Sequence, residues 1–180
     1  MEAKTKLTAE EFFRLYPEES RVELVEGKVY EMPAPSLIHQ EILMRIASAM
    51  KSFVKERTYG NVFVAPVDVV FSENTVLQPD VVWAREFSFS SPRIDRVPEL
   101  VVEIVSPSTI IRDLTDKMKI YEKSGVQEYW LVLPLEKVII VYTLTSEGYR
   151  LYSSATDRGK VQSKVLEGFE LAVEEVFEGF

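Results

Sequence analysis

The chain has no cysteine and only one histidine among its 180 residues, and several kinds of chemistry drop out at once. Without cysteine there is no disulfide, thiolate nucleophile, iron–sulfur cluster or cysteine zinc site. A single histidine likewise excludes a multi-histidine metal centre. Metal chemistry is left to oxygen ligands, which suit magnesium, manganese or calcium. Long apolar runs are also missing: no stretch approaches the roughly 20 residues of a membrane span. Charged side chains in MEAKTKLTAEEFF stand where a signal peptide would be apolar. The expectation is a cytoplasmic protein with no membrane partner. Basic charge is in short supply, 21 Lys and Arg against 29 Asp and Glu, for a net charge of −8. Attraction to nucleic acid normally rests on a basic surface, so any such binding must be confined to a local groove.

What is present is a core. Hydrophobic residues make up 46% of the chain, and no repeat, low-complexity tract or Gly/Ser linker divides it, which predicts one domain over residues 1–180. Thr8 and Glu11 form a capping-box pattern ahead of FFRLY, a short helix ending before Pro17. RVELVEG and KVYEM meet at Glu26-Gly27 as a hairpin. From Ser36 to about Arg57, Ile42, Leu43, Ile46, Met50, Phe53 and Val54 recur at helical spacing. The period then changes. NVFVAPVDVVFS, LQPDVVWA and PELVVEIV read as three consecutive strands, Thr109 to about Lys123 as a second helix closed by Gly125, and EYWLVLP, KVIIVYTL and GYRLYS as further strands. LAVEEVF reads as a short final helix. The predicted fold is mixed α/β (α+β), with a helix, three strands, a helix and a strand at its centre and extra β-hairpins around it.

Three residues stand out against this pattern. Asp80 opens the apolar strand Val81-Val82-Trp83, where an Asp closing a turn is the plain explanation. Glu103 interrupts Leu100-Val101-Val102-Glu103-Ile104-Val105, the run expected of a strand buried on both faces. A buried carboxylate there must be paired, hydrogen-bonded or bound to a cation, and a salt bridge alone would suffice. Lys117 falls on the stripe Ile110, Leu114, Lys117, Tyr121, while Lys119 shares the wet face with Arg112, Asp116 and Lys123. A lysine in that stripe must snorkel out, pair with Asp113, or reach a carboxylate at the sheet. If the Asp80 and Glu103 strands pair, both carboxylates meet where the third strand leaves the sheet, with Lys117 about two turns into the next helix. Asp80, Glu103 and the Ile104 carbonyl could then hold a divalent cation, and Lys117 could orient or deprotonate water and stabilise negative charge. Such a constellation suits hydrolysis of a phosphodiester.

These residues belong to a longer ordered set: Glu23-Leu24 before Gly27, Pro35-Ser36 before His39, Gln78-Pro79-Asp80, Glu103 through Thr109, Asp113 with Lys117 and Tyr121, and Gly125 through Val132. The set resembles the Uma-type family assigned as restriction endonucleases, placed in the PD-(D/E)XK nuclease superfamily, along nearly the whole chain. The resemblance implies a restriction-endonuclease-like core and a magnesium-dependent (Mg2+ or Mn2+) DNA-cleaving site in which Asp80 and Glu103 match the acidic metal ligands. One position departs from the superfamily pattern: Val105, not lysine, stands two residues after Glu103. Lys117 would have to supply that amine from the helix.

The expected function is therefore a divalent-metal-dependent DNA endonuclease, and cutting both strands of a duplex is simplest for a homodimer. A nuclease-fold module that binds without cutting is the main rival, favoured by Val105 and the acidic charge. A glycosidase using paired carboxylates is a third reading, disfavoured by Lys117 in the apolar stripe. Among the remaining polar residues, His39 reads as a satisfied histidine at the core edge, and Glu23 as a solvent-facing strand residue or an accessory acid. Asp68 is ambiguous in the same way. Ser106-Pro107-Ser108-Thr109 reads as a turn and helix cap, secondarily as a phosphate-binding start. Arg45, Lys51, Lys55 and Arg57 could line a DNA groove or form a solvated face. Trp83 and Trp130 read as core.

Overall fold

The computed structural model describes residues 6–17, 20–57, 60–106 and 112–180, and side chains in the last stretch from 115 onward. Helix α1 (Ala9–Leu15) starts at Thr8, whose hydroxyl accepts from the Glu11 N–H at 3.2 Å while the Glu11 carboxylate accepts from the Thr8 N–H at 2.9 Å. Strands β1 (Val22–Val25) and β2 (Lys28–Glu31) form the expected hairpin, turning through Glu26 and Gly27 at φ 48° and 83°. Helix α2 (Leu37–Lys55) is capped by Ser36 and buries Ile42, Leu43, Ile46, Ala47, Met50 and Val54, the stripe its periodicity predicts.

Strands β3 (Asn61–Val64), β6 (Val81–Ala84), β7 (Leu100–Ile104), β8 (Glu128–Leu133), β9 (Val138–Thr145) and β10 (Gly148–Thr156) build one sheet in the order β10-β9-β8-β7-β6-β3. Only β7 and β8 run parallel, and the connection between them includes a π-helical stretch (Arg112–Lys117) leading into α3 (Met118–Ser124). Gly125 ends α3 in the left-handed region, φ 87°. Taken along the chain, α2, β3, β6, β7, α3 and β8 reproduce the helix, three strands, helix, strand core.

The run NVFVAPVDVVFS is not one strand. Pro66 has no N–H to give a ladder, and the chain leaves the large sheet after Val64. Strand β4 (Val69–Ser72) then pairs with β5 (Thr75–Leu77) in a second sheet ordered β2-β1-β5-β4. Two further short strands, β11 (Lys160–Gln162) and β12 (Glu170–Ala172), pair ahead of the final helix α4 (Val173–Phe177), which takes the last five residues of the predicted LAVEEVF helix, while Leu171 and Ala172 belong to β12.

Both faces of β6 and β7 are covered, and residue alternation sorts them. Val81, Trp83, Leu100, Val102 and Ile104 pack with Ile42, Ile46 and Met50 of α2. Val82, Val101 and Val105 pack with Tyr121 of α3, Tyr129 and Leu131. Trp83 and Trp130 are fully buried, as read. Glu103 therefore points toward α3, on the same side as Val101 and Val105.

Candidate active site

β6 and β7 pair antiparallel with Val81 opposite Val102, so Asp80 lies just beyond the ladder, level with the end of β7. The Ile104 N–H donates to Asp80 Oδ2 at 2.7 Å. Val105, the next residue, donates instead to Val132 of β8 at 2.9 Å. Because N–H and C=O of a strand residue leave on the same side, the Ile104 carbonyl also faces the side that β6 has vacated.

Lys117 reaches this point from the helix. Its Nζ lies 2.9 Å from Glu103 Oε1 and 3.1 Å from Glu23 Oε1, and its side chain is 2% exposed. The Tyr121 hydroxyl, one turn further on, also donates to Glu103 Oε1. Glu23 Oε1 accepts in addition from the Gln78 N–H at 2.9 Å, which ties β1 to the Gln78-Pro79-Asp80 turn. The Gln78 amide donates to Asp68 Oδ1 at 3.0 Å and to the Ser20 carbonyl at 3.1 Å, so Asp68 supports that turn from behind. His39, in the first turn of α2, brings Nε2 to 3.2 Å from Asp80 Oδ1. Its Nδ1 is buried with no partner among the described residues. A cleft of about 280 Å³ opens onto this arrangement, with Asp80, Glu103, Ile104, Lys117, His39 and Arg21 in its wall.

The structure thus brings Asp80, Glu103, Ile104 and Lys117 to one cleft. Two readings change. Glu23 is fully buried and paired, not solvent-facing, because Lys117, at the end of the π-helical stretch, reaches over the face of β1 that the alternation of Val22 and Leu24 leaves polar. His39 is satisfied on one nitrogen only, and its partner is a candidate-site carboxylate. For Tyr121 the signal was its position four residues after Lys117; for Glu23 and His39 nothing local pointed to a partner. Pro107, Ser108 and Thr109, together with the Asp113 side chain, lie outside the described residues. The basic residues of α2 are largely engaged within the protein. Arg45 donates to the carbonyls of Glu175, Val176 and Glu178 at 3.2, 3.2 and 2.7 Å. Lys51 bonds Asn61, and Arg57 stacks on Phe53 at 3.5 Å.

The ligand-capable side chains in the cleft wall are carboxylates and His39; Glu103 and the buried Glu23 share the one Lys117 ammonium, and Asp80 lines the same cleft. That excess of negative charge fits a further cation. No group of three or more acidic or histidine side chains among the described residues forms a ready cation cage. Magnesium does not need one, since it is commonly held by one or two carboxylates with water and substrate phosphate. Each Asp80 oxygen keeps a second lone pair beyond its present partner, Oδ2 beside the Ile104 N–H and Oδ1 beside His39. A lysine at position 105 would point to the same face as Glu103; Lys117 brings its ammonium to that face from the π-helical stretch that leads into α3.

The family model "Uma2: Putative restriction endonuclease" matches residues 9–174. No curated protein matches significantly. Among solved structures, the chain is similar to a crystal structure described as a putative nuclease belonging to DUF820 from Anabaena variabilis ATCC 29413. The TM-score is 0.80 at 22% identity, over 95% of this chain and 97% of that one.

Proposed function

The chain belongs to the Uma2 family, and on that premise we propose that it is a divalent-metal-dependent DNA endonuclease, its residues 1–180 acting as one nuclease-like domain. The observation that carries this reading is the buried Lys117 ammonium at 2.9 Å from Glu103, in the cleft that Asp80 also lines. A buried ion pair contributes little net stability over apolar packing. Its presence beside a polar cleft is therefore better explained by chemistry than by folding.

Asp80, Glu103 and the Ile104 carbonyl would hold Mg2+ or Mn2+, which when bound polarises the scissile phosphate and its attacking water. The chain's own residues prepare the ground. Tyr121 and Lys117 hold the Glu103 carboxylate in one orientation, and the Ile104 N–H and His39 do the same for Asp80. Lys117 keeps a fixed positive charge beside the place where negative charge grows on the phosphoryl oxygens. Glu23 acts through Lys117, holding the ammonium from the side opposite Glu103. Cleavage of both strands by two such sites makes a homodimer the expected assembly, and light scattering at working concentration checks it. No helix among the described residues is long and apolar enough to cross a membrane; action on DNA in the cytoplasm is part of the proposal.

The test is plasmid nicking with Mg2+ or Mn2+, comparing the parent with Asp80→Ala, Glu103→Ala and Lys117→Ala. Loss of cleavage in all three is expected; activity surviving the three substitutions would overturn the assignment. One observation favours the rival, a nuclease fold that binds without cutting: the Lys117 ammonium is already shared between two carboxylates. Retarded DNA in a gel shift with no turnover in any metal would select that reading.

A further inference from the structure

A chain of net charge −8 can hold a polyanion only where cations are concentrated. A second depression, about 270 Å³, lies between the β1–β2 turn and the exposed side of α3. Lys6, Lys28, Lys119 and Lys123 line it, with Glu26 and Asp116 the acidic residues among its described lining. All four lysines are exposed, and none is in an ion pair or hydrogen bond with another described residue. Four ammonium groups gathered with no partner among the described residues repel one another, which favours an anion held between them.

Local structure enforces the gathering. Lys119 and Lys123 stand four apart on α3 and share a face. Lys28 opens β2 directly after the turn. Lys6 is clamped there by Gly27: the Leu7 N–H donates to the Gly27 carbonyl at 3.0 Å. A Cβ at position 27 would stand 2.5 Å from the Lys6 Cβ. Gly27 thus admits the Lys6 backbone as well as the turn's positive φ of 83°.

The depression adjoins the candidate active site. Val25 lines it and follows Glu23 on the same face of β1, about 7 Å along the strand. Ile120 lines it too, less than one helical turn beyond Lys117. Both places are then within one turn, roughly 34 Å, of a single duplex. Lysine ammonium groups act as point charges and suit phosphate without demanding a fixed planar partner.

We propose that this lysine pocket is a second contact for the sugar-phosphate backbone of duplex DNA, gripping the stretch that flanks the phosphodiester held in the Asp80–Glu103 cleft. The choice of ligand rests on the nuclease reading; the geometry of the pocket does not. The pocket supplies affinity and register, and the cleft supplies the chemistry.

The experiment pairs two readouts on the full chain. Fluorescence anisotropy of a short labelled duplex, in EDTA across a salt series, compares the parent with Lys28→Ala/Lys119→Ala/Lys123→Ala. Hydrolysis of bis(p-nitrophenyl) phosphate with Mn2+ reports on the cleft alone. The slope of log affinity against log salt is expected to become shallower by about three in the alanine variant. Small-ester hydrolysis stays at the parent rate, and the corresponding triple arginine variant recovers duplex binding. Equal affinity and slope in parent and alanine variant would overturn the proposal, whatever the ester assay shows. So would a parent that hydrolyses the ester but binds no duplex, or an alanine variant that loses both readouts together. Lysine-dependent duplex binding without any ester hydrolysis would uphold the pocket and overturn the nuclease reading.

Discussion

Glu103 and Glu128 are buried glutamates on the adjacent strands β7 and β8, and their surroundings differ in kind. Glu128 is saturated by neutral donors: the Trp130 indole at 2.6 Å, the Ser163 hydroxyl at 2.7 Å, and the N–H groups of Lys164 and Val165 at 2.6 and 3.1 Å. It fastens the turn after β11 to the sheet. Glu103 has one ammonium and one phenol, a second glutamate across the lysine, and a cleft in front of it. A carboxylate enclosed by backbone donors is a structural pin, whereas one facing a cation at a solvent-accessible cleft retains capacity for a metal or substrate.

The largest effect should come from the Glu103 side. Glu103→Gln keeps the volume and a donor–acceptor contact to Lys117, so the melting temperature should stay close to the parent's. Metal-dependent nicking should fall by on the order of a thousandfold or more. An equally large fall in stability would erase the contrast with Glu128.

Next in size is Glu128→Ala. It strands the indole N–H, the Ser163 hydroxyl and two backbone N–H groups in a buried place, at a cost of about 3 kcal/mol in chemical denaturation. Nicking below the melting transition should be nearly unchanged. A variant as stable as the parent would show that the pin carries no strain from the 163–166 turn.

Tyr121→Phe sharpens the comparison further. It removes one donor from Glu103 while leaving the ring packed against Phe71 and Tyr129, whose centroids lie at 5.2 and 5.4 Å. Denaturation should register about 1 kcal/mol. The kcat for nicking should fall more than KM rises, because the phenol orients Glu103 and does not touch substrate.

The smallest effect belongs to a third kind of carboxylate. Glu170 is exposed, and the hydrogen bond from Lys160 first, then that from Gln162, holds its carboxyl below the ordinary range. A depressed folded-state value means that the contribution is present above the unfolded carboxylate pKa and lost as pH falls through the folded one. Lys160→Met should move the Glu170 titration upward in an NMR pH series with little change in melting temperature at neutral pH. A large loss of stability would contradict its exposure.

The two buried glutamates were unequally legible. Glu103 stood out because an acid inside a continuous apolar run violates a local pattern. Lys117 stood out for the same reason on its helix. Glu128 opens its strand, where a polar residue violates nothing, and apart from the Trp130 indole its partners lie more than 30 residues away in the chain. Glu23 alternates with apolar neighbours as a wet residue would, and only the helix packed over it makes it buried. The division of NVFVAPVDVVFS followed the same logic: Pro66 was visible, but a second sheet waiting to receive β4 was not.

The sequence by itself determined the order of the central elements, the capping of α1, most of the buried stripe of α2, the restriction to oxygen-ligand metal chemistry and the two side chains, Glu103 and Lys117, that had to find buried partners. Those are properties of local periodicity and residue type, readable within a turn or a strand. The tertiary structure alone decided that Lys117 stands between Glu103 and Glu23, that His39 meets Asp80, that four lysines from three segments gather beside the cleft, and that Glu128 is a pin. Each depends on which element covers which face, and that is set by packing among segments distant in the chain, not by the pattern within any of them.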